Sequence, residues 1–150
     1  MAKIRITKEF KFETAHALKA YDGLCKHIHG HSYELLVTVI GNPIEDKSSP
    51  KLGMVMDFGD LKMIVREEIV DKMDHALVLN RDSKTAQNLS GSDDMFSRLV
   101  LVDYQPTSEN MLIDFVDRIQ PRLPDGIKLY SMFLRETVTS YAEWFASDQD

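Results

Sequence analysis

From Ile4 to His16 apolar and polar residues alternate. Ile4, Ile6, Phe10, Phe12 and His16 share one parity, broken only by Lys8, while Arg5, Thr7, Glu9, Lys11 and Glu13 hold the other. Successive side chains of a strand point to opposite faces, so this stretch predicts a half-buried strand over 4–16. A second strand starts at His29, with His29, His31, Tyr33, Leu35, Val37 and Val39 on one face, and Gly41-Asn42-Pro43 ends it. Asp46-Lys-Ser-Ser-Pro50 has the composition of an exposed loop, and the short apolar stretch Met54-Val-Met56 offers one minor strand before Asp57.

Beyond Asp57 the period changes. Phe58, Leu61, Ile64, Val65, Ile69 and Met73 recur at helical spacing, with Asp57 or Asp60 placed to cap the N-terminus and Asp74-His75 at or just past the C-terminus. Residues 81–98 are polar and aperiodic, which predicts a loop with a helical turn at its end. Pro106-Thr-Ser108 opens a second helix with the stripe Leu112, Phe115, Val116 and Ile119, and Pro121 stops it. Residues 127–137 and about 139–146 read as a final pair of strands. The order β-β-(β)-α-α-β-β predicts an α+β fold, a four-stranded antiparallel sheet with two helices packed on one face. The two edges of so small a sheet invite pairing between subunits. No repeat, low-complexity tract or linker divides the chain, so residues 1–150 are expected to form one domain.

Composition narrows the class of partner. At 150 residues the chain can bury a core without staples. A net charge of −6 and the lack of a dense Lys/Arg block give nucleic-acid binding no electrostatic support. A phosphorylated small molecule remains possible, since a few local cations suffice for it. One cysteine excludes an intrachain disulfide, in keeping with a reducing cytoplasm. MAKIRITKEFKFE lacks the continuous apolar run of a signal peptide, and no stretch approaches the roughly 20 apolar residues that span a bilayer. The expectation is a cytoplasmic protein with neither a membrane nor a nucleic-acid partner.

That one cysteine opens the segment Cys25-Lys-His27-Ile-His29-Gly-His31, which holds three of the five histidines. Zinc takes imidazole or thiolate in a tetrahedron and, when catalytic, keeps a position open. His29 and His31 project from the same face of a strand, and Gly30 leaves the opposite face bare for close approach of another backbone. If the first two strands pair as a hairpin, His16 meets the start of the second, so His16, His29 and His31 are the candidate ligands. Each has a plainer reading: a single histidine on an apolar face is usually a hydrogen-bonded core residue. Together, with a thiol nearby, they favour a metal site. His27 has the right parity but precedes the strand, which makes it a loop residue or a support for the ligands. By spacing alone Cys25 is either a reactive group beside the ion or a fourth ligand closing a structural site.

Cys-x-x-x-His-Gly-His at 25–31, preceded by Phe-Glu-Thr-Ala-His at 12–16, resembles the 6-pyruvoyl-tetrahydropterin synthase superfamily, most closely its bacterial 6-carboxy-tetrahydropterin synthase branch. Met56-Asp-Phe58 with Leu61-Lys62, Met73-Asp-His75, Pro106-Thr-Ser-Glu-Asn110 and Leu134-Arg-Glu-Thr137 agree in the same order, so the resemblance spans residues 4–140. It implies a zinc enzyme of the tunnelling fold, assembled as a homohexamer of two stacked trimers. His16, His29 and His31 match the zinc ligands. Cys25 then matches the general base, working with Asp74 and His75, which commonly reach the site from a neighbouring subunit. Glu136 matches the carboxylate that holds the guanidine-like edge of the pterin, and Thr107, Ser108 and Glu109 match the lining of the pterin pocket.

The implied substrate is 7,8-dihydroneopterin triphosphate. Its side-chain hydroxyls suit the open positions of a three-histidine zinc, and its adjacent N–H donors suit a forked carboxylate. One branch of the superfamily eliminates triphosphate to give 6-pyruvoyl-tetrahydropterin. The other also loses acetaldehyde and leaves 6-carboxy-tetrahydropterin, on the route to queuosine-type 7-deazaguanine nucleosides. Three residues between Cys25 and His29 match the carboxy branch, whereas the pyruvoyl enzymes have a longer gap. A folate-linked variant carries glutamate in place of this cysteine. Plainer readings exist here too: Asp74-His75 as a helix C-terminus, Glu136 as an exposed strand residue, Thr107-Ser108 as a helix cap. A non-catalytic domain held together by zinc is the alternative from outside enzymology. The segment between His75 and Pro106 is longer than in short bacterial members and could cover the pocket mouth or extend a subunit contact.

Overall fold

The computed structural model describes residues 2–91 and 93–150. The alternation at the N-terminus forms β1 (Ile4–His16), which pairs antiparallel with β2 (His29–Gly41) along its whole length, from Ile4 opposite Gly41 to His16 opposite His29. Phe10, Phe12, Tyr33, Leu35, Val37 and Val39 are buried on the shared face, and Glu9, Lys11 and Glu13 are exposed on the other. Burial fades toward the start of β1, where Ile4 is 46% exposed.

The sheet is larger than expected. Among the described residues it has six strands in the order β4-β3-β1-β2-β5-β6, counting β3 (Ala76–Asn80), β4 (Leu99–Val102), β5 (Lys128–Thr137) and β6 (Ser140–Phe145). β2–β5 and β5–β6 are antiparallel, whereas β3 runs parallel to β1 and β4 parallel to β3. The four-stranded antiparallel expectation is therefore corrected to a mixed sheet. Ala76-Leu-Val-Leu-Asn80 and Leu99-Val-Leu-Val102 are short and apolar at both parities, the composition of parallel strands rather than of a period-2 pattern. Parallel neighbours need a crossover. It runs through residues 81–98, which contain α3 (Lys84–Leu89) and a single turn at Asp94–Phe96. Met54-Val55-Met56 is not a strand. Ile44 exchanges two backbone hydrogen bonds with Gly53 and Met54, and Val55 and Met56 turn inward.

Asp57 caps α1 (Phe58–Val65), its carboxylate accepting from the Gly59 amide at 2.7 Å. The helix then widens into a π-turn over Arg66–Val70 before α2 (Asp71–Met73). A regular helix would carry the face of Leu61 and Ile64 on to Glu68 and Lys72. The wide turn takes up one extra residue and brings Ile69, Val70 and Met73 into the core instead. Phe58, expected in the stripe, is 52% exposed because it precedes the first buried turn. Thr107 caps α4 (Ser108–Ile119), which buries Met111, Leu112, Phe115, Val116 and Ile119. Arg118 clasps Asp114 through two hydrogen bonds and reaches the Glu68 carbonyl, tying α4 to the π-turn. The core lies between these helices and the buried face of the sheet.

Candidate metal centre

The end of the β1–β2 ladder puts His16 directly opposite His29, and His31 two residues on faces the same way. Their candidate ligand nitrogens all lie within 4.8 Å of one another. Two backbone carbonyls set the rings. His16 Nδ1 donates to the Pro106 carbonyl at 2.7 Å, and His29 Nδ1 donates to the His27 carbonyl at 2.7 Å. With both Nδ1 atoms protonated, both Nε2 atoms present lone pairs, and these stand 3.0 Å apart. Two acceptors at that distance call for a cation between them. His31 Nε2 is buried and closes no hydrogen bond, a third donor without a partner.

The donor set fits a metal. Ligand bonds of about 2.0–2.1 Å in a tetrahedron separate nitrogens by roughly 3.4 Å, within reach of this cluster after small adjustments. Burial lowers the pKa of His16, against the opposing pull of the Pro106 carbonyl, and burial likewise lowers that of His31, opposed by Glu136. Neutral imidazoles are the form that ligates. Nδ1–H donation to a carbonyl is also the usual way such a ligand is oriented. His16 is 1% exposed, while His29 and His31 reach the surface.

Glu136 shares this cavity. Its Oε1 lies 3.5 Å from Nε2 of both His16 and His31. On β5 it has the parity of the buried Met132 and Leu134, and it occupies an irregularity in the β5–β6 register between Arg135 and Thr137. Such a bulge re-aims a side chain at the end of a strand. The parity was a usable sequence signal; the bulge was not. Beneath the cluster Tyr33 is wholly buried, stacked on Phe12 at 5.5 Å between ring centroids and edge-on to His31 and His16. Burial, then the Glu136 carboxylate, push its pKa upward, and its hydroxyl closes no hydrogen bond.

Cys25 sits exposed on a single turn, Leu24–Lys26, and its carbonyl accepts from the Leu18 amide. Its sulfur is not among the converging donors. Asp74 and His75 follow α2 directly. Asp74 Oδ1 accepts from the Glu13 amide at 2.9 Å and lies 3.1 Å from His75 Nδ1, and the His75 amide donates to the Glu13 carbonyl. The Glu13 amide is the chief cause holding the Asp74 pKa below the ordinary carboxylate value. His75 takes a left-handed backbone, φ 61°, and its side chain is 75% exposed. It lines a shallow depression with Glu13, Thr14, Ala15, Gly30, His31 and Ser32, next to the rung that pairs Thr14 with Ala76. Within one chain the Asp74–His75 pair is formed and is anchored on the backbone of Glu13, whose parity is opposite to that of His16.

Thr107 Oγ1 accepts from the Asn110 amide as the α4 cap, Ser108 is buried with an unpartnered Oγ, and Glu109 is exposed on the first turn. Three further groups hold the site in place, and His27, expected as a loop residue or a support for the ligands, supports His29 through its carbonyl rather than its ring. The Pro106 and His27 carbonyls orient ligands, and backbone acceptors carry no side-chain signature. Arg98, from the long segment, donates to the carbonyls of Asp71 and Asp74 and so fixes the turn that presents His75.

An α+β fold with a mixed sheet carries, at the end of its central hairpin, three histidines placed to hold a metal ion. The chain belongs to the 6-pyruvoyl tetrahydropterin synthase family, which it matches over residues 5–147. It is 35% identical over 141 residues to a 6-carboxy-5,6,7,8-tetrahydropterin synthase of Haemophilus influenzae, covering 93% of this chain and 97% of the relative. Identity to the Synechocystis protein of the same name is 30% over 141 residues, covering 94% and 92%. In fold it is similar to an uncharacterised Wolinella succinogenes protein, with a TM-score of 0.78, 21% identity and coverage of 97% and 99%. The 6-pyruvoyl tetrahydropterin synthase of Caenorhabditis elegans superposes with a TM-score of 0.65, 24% identity and 97% coverage of each chain.

Proposed function

We propose that this protein converts 7,8-dihydroneopterin triphosphate to 6-carboxy-5,6,7,8-tetrahydropterin, releasing acetaldehyde and triphosphate, with zinc held by His16, His29 and His31. The observation that carries the reading is the convergence of ligand nitrogens from His16, His29 and His31 at the end of the β1–β2 hairpin. The curated relatives named for this activity, and the three-residue gap between Cys25 and His29, support the carboxy product over the pyruvoyl one.

When bound, the zinc supplies Lewis acidity toward the vicinal hydroxyls of the substrate side chain. The protein's own groups do the rest. Glu136 accepts two adjacent N–H donors of the aminopyrimidinone edge in a fork and fixes the pterin in the cavity. Thr107, Ser108 and Glu109, at the N-terminus of α4, line the pocket around it. Cys25 takes a proton from the substrate side chain as general base. Asp74, kept ionised by the Glu13 amide, accepts from His75 Nδ1–H, which leaves His75 Nε2 free to pass a second proton. With the Asp74–His75 pair anchored on Glu13, whose parity is opposite to that of His16, the complete constellation is formed between subunits. A homohexamer of two stacked trimers, joined at the open edges β4 and β6, meets that requirement. The product then feeds cytoplasmic queuosine-type 7-deazaguanine synthesis.

The test is incubation of the zinc-loaded protein with dihydroneopterin triphosphate. Acetaldehyde and 6-carboxy-tetrahydropterin should form together; a 6-pyruvoyl product without acetaldehyde moves the protein to the other branch. Cys25→Ala should abolish turnover and retain the metal. Loss of both metal and fold in that variant would make the cysteine a structural ligand instead.

A further inference from the structure

Residues 19–28, which lead from β1 past the thiol to β2, include no buried residue, and all but Gly23 are exposed. A few polar ties therefore set where this loop lies. Among the described residues, two hydrogen bonds join it to something other than the hairpin it closes, and both go to one side chain. The Lys19 amide donates to Gln105 Oε1 at 2.9 Å, and Gln105 Nε2 donates to the Lys19 carbonyl at 2.7 Å. A primary amide carries donor and acceptor together, so it grips one residue as a neighbouring strand would. Gln105 is itself held at the entrance to α4, where its carbonyl accepts from the Thr107 amide at 2.8 Å and from Asn110 Nδ2 at 3.0 Å. The next carbonyl, that of Pro106, orients His16. One short segment thus reaches both a candidate ligand and the loop that carries Cys25.

The clamp falls where the loop is strained. The Tyr21 amide donates to the Leu18 carbonyl at 3.5 Å, closing a turn whose third residue, Ala20, has φ 58° while Lys19 is not left-handed. Those signs are the ones of a type II turn, whose third position suits glycine and is unfavourable for a residue with a Cβ. The commoner type I turn differs by a flip of the central peptide, and the carbonyl of that peptide belongs to Lys19. Gln105 Nε2 holds this carbonyl and so holds the strained form. Downstream the loop closes on the same turn, the Leu18 amide donating to the Cys25 carbonyl at 2.9 Å.

We propose that Gln105 is a positioning residue for Cys25: its amide locks the Lys19–Ala20 peptide in the left-handed turn and so fixes where the thiol lies relative to the histidine triad. This rests on the assignment of Cys25 as general base. Without the clamp the peptide flips to the unstrained turn, and the thiol is in place in only a minority of molecules. Left-handed backbone is disfavoured for an L residue by roughly five- to thirtyfold in population. Substrate binding through the metal and Glu136 does not depend on the turn, so the loss falls on kcat.

The experiment uses the zinc-loaded full chain. Gln105→Met keeps the side-chain length and removes both hydrogen bonds; Gln105→Glu keeps the acceptor and sets an oxygen against the Lys19 carbonyl. Acetaldehyde release from dihydroneopterin triphosphate gives kcat and KM, NMR gives exchange of the Leu18 amide, and the zinc-induced rise in thermal midpoint reports the metal. Both variants should lower kcat roughly five- to thirtyfold and speed Leu18 exchange, with KM and the zinc shift unchanged. Adding Ala20→Gly to Gln105→Met should return kcat to within about twofold of wild type, because glycine takes both signs of φ about equally. A general structural role for Gln105 would gain nothing from that second change. Unchanged kcat or Leu18 exchange in both variants, a loss that falls on KM or on the zinc shift, or no recovery with Ala20→Gly overturns the role of Gln105. If wild type releases acetaldehyde and both variants match it, the reaction assignment stands and only this role fails. If wild type releases none, both fall.

Discussion

Removing one imidazole separates metal binding from folding at this site. His31 closes no hydrogen bond through Nε2 and its side chain is partly exposed, so in metal-free protein His31→Ala should cost only lost packing, about 1 kcal/mol. The metal-loaded state should differ sharply. An ion that binds the folded chain at one hundred times its Kd adds about 2.7 kcal/mol, which at about 2–4 °C per kcal/mol for a chain of this size is roughly 5–11 °C in Tm. The assay is thermal unfolding of chelator-stripped protein with and without added zinc, paired with metal content after dialysis. Wild type should show the full shift and His31→Ala most of its loss. His27→Ala is the control: its exposed side chain takes no part, and the carbonyl that orients His29 survives the change. An equal zinc shift in wild type and His31→Ala, or no shift in wild type, refutes the triad as a metal site. Loss of the shift in His27→Ala would show that the fourth histidine is a ligand.

Asp74→Ala should abolish turnover while leaving the zinc shift intact, because neither residue of the pair is among the converging donors. The carboxylate of Asp74 has its pKa depressed by the Glu13 amide, so its contribution to stability is present above the unfolded value of 3.8 and is lost as pH falls through the lower folded value. Amide exchange at Glu13, followed by NMR and corrected for intrinsic rates, should therefore lose protection only below about pH 4; loss at higher pH contradicts the latch. Phe115 is fully buried against Phe12, and Phe115→Ala should cost about 3–5 kcal/mol in urea unfolding of metal-free protein. A cost under 1 kcal/mol would mean that α4 is not locked onto the sheet.

The parts of the structure that follow from short-range rules were legible. Strict alternation placed β1 and β2, and parity alone brought His16, His29 and His31 to one face. Asp57 and Thr107 declared the starts of the helices through their oxygen-bearing side chains. What failed depended on longer-range order. β3 and β4 are short apolar runs whose strand character comes from the neighbours they pair with. The π-turn slips the phase of the helical stripe by one residue, so a fixed 3.6 count misses Val70, while Phe58 is exposed because it precedes the first buried turn. The position of Glu136 beside the histidines depends on a bulge, and the orientation of His16 depends on a carbonyl 90 residues away. Neither leaves a mark in local composition.

Thirteen residues of β1 face thirteen of β2 without a slip, and two of the three histidines placed to hold a metal ion occupy the last rung. Inserting one residue in either strand would flip a ligand to the Glu13 side. Inserting two would restore its facing but carry it about 7 Å along the strand. The strands therefore tolerate almost no change of length near the ion. Residues 17–28, which join them, are under no such rule, and they carry Cys25. Gaining or losing residues there would move the thiol relative to an ion that stays where it is, so divergence in chemistry has an open route through the loop and a closed one through the sheet.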